Sequence, residues 1–211
     1  MEPESGVPDP LQDIFAQMDG GIAGAPPRAA PLGAQPVVIG LVFNERLALR
    51  QPGHYRITAE TTRVVSISAP DAALSLRSNA IDIDVTAPPA GWASAQVRQA
   101  VATLERGDLP QPGLGGSYDR RLFQAHDEEA ARAGRILRFI DSPDAVPALA
   151  RFFENGPRGA QTQLRAGLFA SPYRQDVIAA MEAWIAAPDS PVTYYYLATL
   201  MELEEVRRLG P

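Results

Sequence analysis

The sequence predicts an α+β chain, an N-terminal antiparallel β module of sandwich-like pattern followed by an all-helical module. Three observations carry this. Tyr55-Ile57-Ala59 and Ile81-Ile83-Val85 place apolar side chains at every second position, which lays one face of a strand on a core. Val97, Val101 and Leu104, and later Val177, Ile178, Met181, Trp184 and Ile185, fall at helical spacing. The change of period falls near residue 88, so the 211 residues divide into small modules.

Residues 1–35 stand apart. They hold Gly20-Gly21, Pro26-Pro27 and many alanines, with one short apolar patch at Leu11, Ile14 and Phe15. Too little apolar surface is available there to offset the entropy of ordering, so a flexible, removable arm is expected.

The β module is expected over 36–88. Val37 to Phe43 is nearly all apolar and reads as a buried strand, and Leu47 and Leu49 alternate with Ala48 and Arg50. Gln51-Pro52-Gly53 is a turn signal, since proline presets φ and glycine accepts a positive one. His54 to Ile67 alternates and is rich in Thr and Val. Ala69-Pro70-Asp71 is expected to break it. Leu74 to Leu76 resumes pairing, Ser78-Asn79 turns or bulges, and Ile81 to Val85 closes the sheet with Asp82 and Asp84 facing water.

Pro52-Gly53-His54-Tyr55-Arg56-Ile57, with Ser78-Asn79-Ala80-Ile81-Asp82-Ile83 after it, resembles the last strands of immunoglobulin-like sandwiches. The resemblance implies a buried Tyr55 whose hydroxyl bonds back to the corner at Pro52 and Gly53. Four or five strands are visible where about seven are usual, and no cysteine pair is present, so either the implied sandwich is cut short or the module is a smaller open sheet covered by a helix. The whole order, a "PG-x-YR" strand, an "SN-x-I-x-I" strand and then helices, also resembles a group of uncharacterised soil-bacterial proteins with HEAT-like helices. That second resemblance implies a fold and no activity.

The helical module is expected over 89–211, with a loop at 107–117. Trp92 to Glu105 forms its first helix. Tyr118 to Ile140 forms a long one with Leu122, Phe123, Ala130, Ala133, Leu137 and Ile140 on its apolar face. Ser142-Pro143, Ser171-Pro172 and Ser190-Pro191 read as helix starts. Serine caps free N–H groups, and proline in the first turn sacrifices no bond. Pro147 should kink its helix or delay its start. Short capped helices at uneven spacing predict an irregular, HEAT-like array.

All 19 basic residues are arginine and there is no cysteine. This excludes a P-loop lysine, a Schiff-base lysine, a thiolate nucleophile and any cysteine metal site. The net charge of −6 opposes nucleic-acid binding, and Glu128 and Glu129 interrupt the basic run of Arg120, Arg121, Arg132, Arg135 and Arg138. No apolar run approaches the roughly 20 residues a membrane helix needs. No signal-peptide pattern opens the chain.

His126-Asp127-Glu128-Glu129 is the only dense group of metal-ligand residue types. A bound metal needs ligands from neighbouring helices as well, so the expected reading is a boundary histidine, with Glu128 paired to Arg132. Gly113-Leu114-Gly115-Gly116-Ser117 follows prolines rather than a strand and reads as linker, not phosphate loop. Asp82 and Asp84 could hold calcium, but a solvated sheet face is the default.

The last helix carries two apolar stripes. Val192, Tyr195, Tyr196, Leu200, Leu203 and Val206 form one, and Tyr194, Leu197 and Met201 form the other. With Gly210-Pro211 after it, the second stripe is expected either to be covered by an earlier helix such as Trp92 to Glu105, or to be an interface. The functional expectation is therefore a non-catalytic interaction or scaffold protein with a protein partner or a second copy, and no cofactor. An accessory module binding carbohydrate or calcium through the sheet ranks second, and a metal-dependent hydrolase around His126 ranks last.

Overall fold

The computed structural model describes residues 49, 51–66, 69–109 and 119–209. These fall into two compact units, one ending at Pro88 and one beginning at Pro89. Among the described residues the architecture is α+β, with two small antiparallel sheets of two strands each followed by helices.

In the first unit β1 (Gly53–Ile57) pairs with β4 (Ile81–Val85), and β2 (Glu60–Ser66) pairs with β3 (Ala69–Arg77). The registers are nested: Gly53 faces Val85, Ile57 faces Ile81, Glu60 faces Arg77 and Val65 faces Ala73. The two sheets are thus successive lengths of one long hairpin. Ser78 bridges the interruption between them. Its N–H donates to the Ala59 carbonyl at 2.8 Å, and its hydroxyl oxygen accepts from the Ala59 N–H at 2.9 Å. Thr58-Ala59 therefore divides the long alternating run in two. Ala69-Pro70-Asp71, expected as a break, lies inside β3, where Ala69 pairs with Ser66. Gly53 sits in extended backbone with no positive φ, so it opens β1 rather than forming the turn.

Alternation on this hairpin sorts the side chains as its period requires. His54, Arg56, Asp82 and Asp84 are exposed on one face, while Tyr55, Ile57, Ile83 and Val85 are half-buried on the other. None of the described side chains of this unit is fully buried, and Leu74, Leu76 and Ile81 are exposed. A two-stranded ribbon cannot cover its own apolar face. The expected strand at Val37 to Phe43 and the arm at 1–35 lie outside the described residues. Tyr55 is half-buried rather than buried, and its hydroxyl donates to the Gln51 carbonyl at 2.7 Å. Because this bond is solvent-accessible, Tyr55→Phe should cost about 0.5 kcal/mol, the low end for one hydrogen bond. Urea unfolding of the two proteins side by side measures it, and a loss above about 2 kcal/mol would show a buried corner instead.

The second unit contains α1 (Trp92–Leu104), α2 (Arg120–Phe139), a 3-10 turn (Pro143–Ala145), α3 (Val146–Asn155), α4 (Arg158–Ala170), α5 (Arg174–Ala186) and α6 (Tyr194–Leu209). Asp119 caps α2, accepting from the N–H groups of Arg121 at 3.0 Å and Leu122 at 3.2 Å. Ser142 caps the 3-10 turn through the Asp144 N–H, and Pro147 delays the α-helix to Val146. The other two Ser-Pro pairs lie upstream of the real starts. Ser171 accepts from Tyr173 N–H ahead of Arg174, and α6 is capped by Thr193, whose hydroxyl accepts from the Tyr196 N–H at 3.2 Å. Gly156-Pro157 adds a break not expected from the sequence, because Pro157 ends one helix and opens the next.

The core is contiguous. Leu104, Leu137, Phe153, Leu164, Leu168, Val177, Met181, Tyr196 and Leu203 are all fully buried. Helices pack on the next and the next-but-one: α1 on α2, α2 and α3 on α4, α3 on α5, α5 on α6. α2 and α4 run parallel, since Gly159 meets Asp127, Gly134 meets Ala160 and Gln163, and Gly167 meets Arg138. On α2 the buried stripe is Ala130, Ala133, Gly134 and Leu137, whereas Leu122 is exposed. α4 first meets α2 at Asp127, so the first turns of α2 project past its end.

Candidate interaction surface

Thr193 and Glu154 anchor the start of α6. The Thr193 hydroxyl donates to a Glu154 carboxylate oxygen while accepting from Tyr196 N–H, which ties α6 to α3. Tyr196 is the buried anchor. Its ring packs 4.9 Å from that of Phe153, and its hydroxyl donates to the Ala150 carbonyl at 2.9 Å. Burial pushes the Tyr196 phenol well above its ordinary range, so it stays a neutral donor. Tyr196, Thr199 and Leu203 are fully buried on this side, with Leu200 partly so.

Tyr195 departs from expectation. It is not on the buried stripe but exposed, with the Arg165 guanidinium 4.8 Å from its ring centroid. Arg165 also pairs with Glu202 at 3.4 Å, so one arginine of α4 holds the flank of α6 twice.

The opposite side of α6 is open. Tyr194 is 87% exposed, Leu197 43% and Met201 68%. The expected covering by Trp92 to Glu105 does not occur among the described residues: α1 packs on α2, and Trp92 itself is exposed. An apolar stripe at i, i+3 and i+7 on a rigid helix presents an aromatic, a branched aliphatic and a flexible thioether in one row. Such a row can bury apolar area against a partner.

The other candidates resolve as follows. His126 lies on α2 in register with Ala130 and Ala133, and its side chain is 18% exposed. Glu129, one helical turn further along α2, pairs with Arg106. Glu128 and Arg132 form no ion pair among the described residues. Asp108, from the segment after α1, comes in beside His126 and Asp127. On the hairpin, Asp84 accepts from or pairs with His54 Nδ1 at 2.8 Å, and Asp82 lies 3.5 Å from Nε2 and 3.9 Å from Arg56. The hydrogen bond to Asp84 raises the His54 pKa above its ordinary value, although the side chain is exposed. These carboxylates face His54 and Arg56 across the hairpin. The glycine loop around Ser117 lies outside the described residues. Among them no helix is long and apolar enough to cross a membrane.

No family model, no curated protein and no solved structure matches this chain.

Proposed function

We propose that this is a non-catalytic interaction or scaffold protein, in which a HEAT-like helical array presents the outer stripe of α6 to a second protein chain. In the same reading the hairpin is part of a reduced immunoglobulin-like module of the kind found in the soil-bacterial group it resembles. The observation that carries the proposal is the exposed row of Tyr194, Leu197 and Met201 on a helix whose other face is fully anchored. Aromatic and Met residues concentrate at the cores of protein contacts, and a rigid helix face binds without ordering cost. Packing of helices on their next-but-one neighbours, with α2 and α4 parallel, supports the stacked-pair array.

Sedimentation over a range of concentrations, beside Leu197→Glu/Met201→Glu, tests it. The wild type should self-associate. The double variant should remain monomeric, with association weakened at least about tenfold for two charges placed in an apolar contact. Its melting temperature should be unchanged, because both side chains are already exposed. If both proteins stay monomeric and equally stable, the stripe is neither core nor a contact between copies, and the reading fails.

A further inference from the structure

We propose that Asp108, His126 and Asp127 form a binding site for one divalent transition-metal ion of the zinc class. The inference goes beyond the interaction surface and does not depend on it. One oxygen from each carboxylate and one imidazole nitrogen all lie within 4.8 Å of one another. Donors around zinc at about 2.0–2.1 Å stand roughly 3.3 Å apart, so rotations of about an ångström at two exposed carboxylates close the set.

The histidine is the informative member. Its side chain is only 18% exposed, yet neither ring nitrogen makes a hydrogen bond to a described residue; its nearest charged neighbour is an Asp127 oxygen 4.0 Å from Nδ1. A largely covered imidazole held between two carboxylates, with no hydrogen bond to a described residue, keeps a ring nitrogen free to ligate a cation.

The surroundings hold the donors in place. Asp108 Oδ1 accepts from the Arg158 N–H at 3.0 Å at the start of α4, and its second oxygen takes no hydrogen bond among the described residues. That bond orients the carboxylate as an outer partner orients a metal ligand. Gly159, in the same turn of α4, lets the backbone abut Asp127, where a Cβ would stand 2.2 Å from the Asp127 carbonyl oxygen. Three segments are thus fixed at one junction. The donor set has one nitrogen and two carboxylates, whose two negative charges offset a dication. Imidazole with carboxylate suits zinc and its neighbours, while calcium takes six to eight oxygens and magnesium near-ideal octahedral oxygen geometry. One ligand from the segment after α1 and two from α2 would clasp that segment to α2.

Tag-free protein equilibrated with Zn2+, and separately with Co2+, is the test. Metal is measured by elemental analysis, and the cobalt band position reports coordination. The wild type should retain one Zn2+ per chain. His126→Gln and Asp108→Asn should each weaken retention by about tenfold or more. Asparagine keeps an oxygen that accepts from the Arg158 N–H, so Asp108→Asn preserves the cap and the fold, which metal-free melting curves verify. His54→Ala, which removes the other histidine, should retain the metal fully. Ca2+ and Mg2+ should not compete. The proposal is overturned by absence of uptake, by uptake that survives His126→Gln or Asp108→Asn, or by uptake lost in His54→Ala instead.

Discussion

Phe153→Ala is expected to destabilise the helical unit by about 3–5 kcal/mol, the range for removing a buried aromatic. Phe153 is 2% exposed in the last turn of α3 and lies against the Tyr196 ring. The cost has two parts: the lost transfer energy of the ring, and a cavity that its neighbours fill poorly. Collapse is limited on the α6 side because the Tyr196 hydroxyl is tied to the Ala150 carbonyl, and Thr193 is tied to Glu154. Moving the Tyr196 ring toward the void would break the first bond and leave a buried hydroxyl unpaired. In thermal unfolding followed by far-ultraviolet circular dichroism, this corresponds to a fall of roughly 10–20 °C. Leu122→Ala is the matched control. Leu122 sits at a position of α2 that the sequence pattern assigns to the core but that is 55% exposed, so its loss should stay within about 0.5 kcal/mol. Equal losses in the two variants would place Leu122 in the core and contradict the packing of α2.

That contrast marks where local pattern stops informing. Hydrophobic period located α1, α2, α5 and α6, because each needs only its own apolar stripe to be recognised. It could not show that α4 starts level with Asp127, which decides whether Leu122 is covered, since that depends on packing between segments. Capping signals behaved similarly. Ser142 works as read, but Thr193 outcompetes Ser190 because Glu154 of α3 holds its hydroxyl. The Gly156-Pro157 break was legible in principle, since proline there ends a helix, but apolar residues on both sides mask it. On the hairpin, alternation gave the faces, while the break at Thr58-Ala59 depends on Ser78 across the ladder. The candidate sites divide in the same way. Tyr194, Leu197 and Met201 were visible on a wheel because one helix holds all three. His126 and Asp127 were visible as neighbours, but Asp108 was not, because only the fold brings the segment after α1 to the middle of α2.

Gly159→Ala gives the sharpest measure of that fold, since it opposes a local gain to a long-range clash. In an isolated helix alanine is favoured over glycine by about 1 kcal/mol. Here the added Cβ would stand 2.2 Å from the Asp127 carbonyl oxygen and 2.8 Å from its carbonyl carbon and Cα. All three are backbone atoms of α2, so no side-chain rotation relieves the clash; the helices must separate. Overpacking of this kind costs about 1–3 kcal/mol, and opening the tightest seam of the unit places the net effect at a loss of about 1–2 kcal/mol. Gly167→Ala sets the scale, because its closest contact, at 2.8 Å, is the Leu149 Cδ2 methyl, the far end of a flexible side chain that can turn away. Urea denaturation should therefore rank wild type and Gly167→Ala above Gly159→Ala. Should Gly159→Ala prove more stable than wild type, helix propensity alone would govern that position. The close approach of α4 to α2 at Asp127, on which the placement of Asp108 beside His126 depends, would then be wrong.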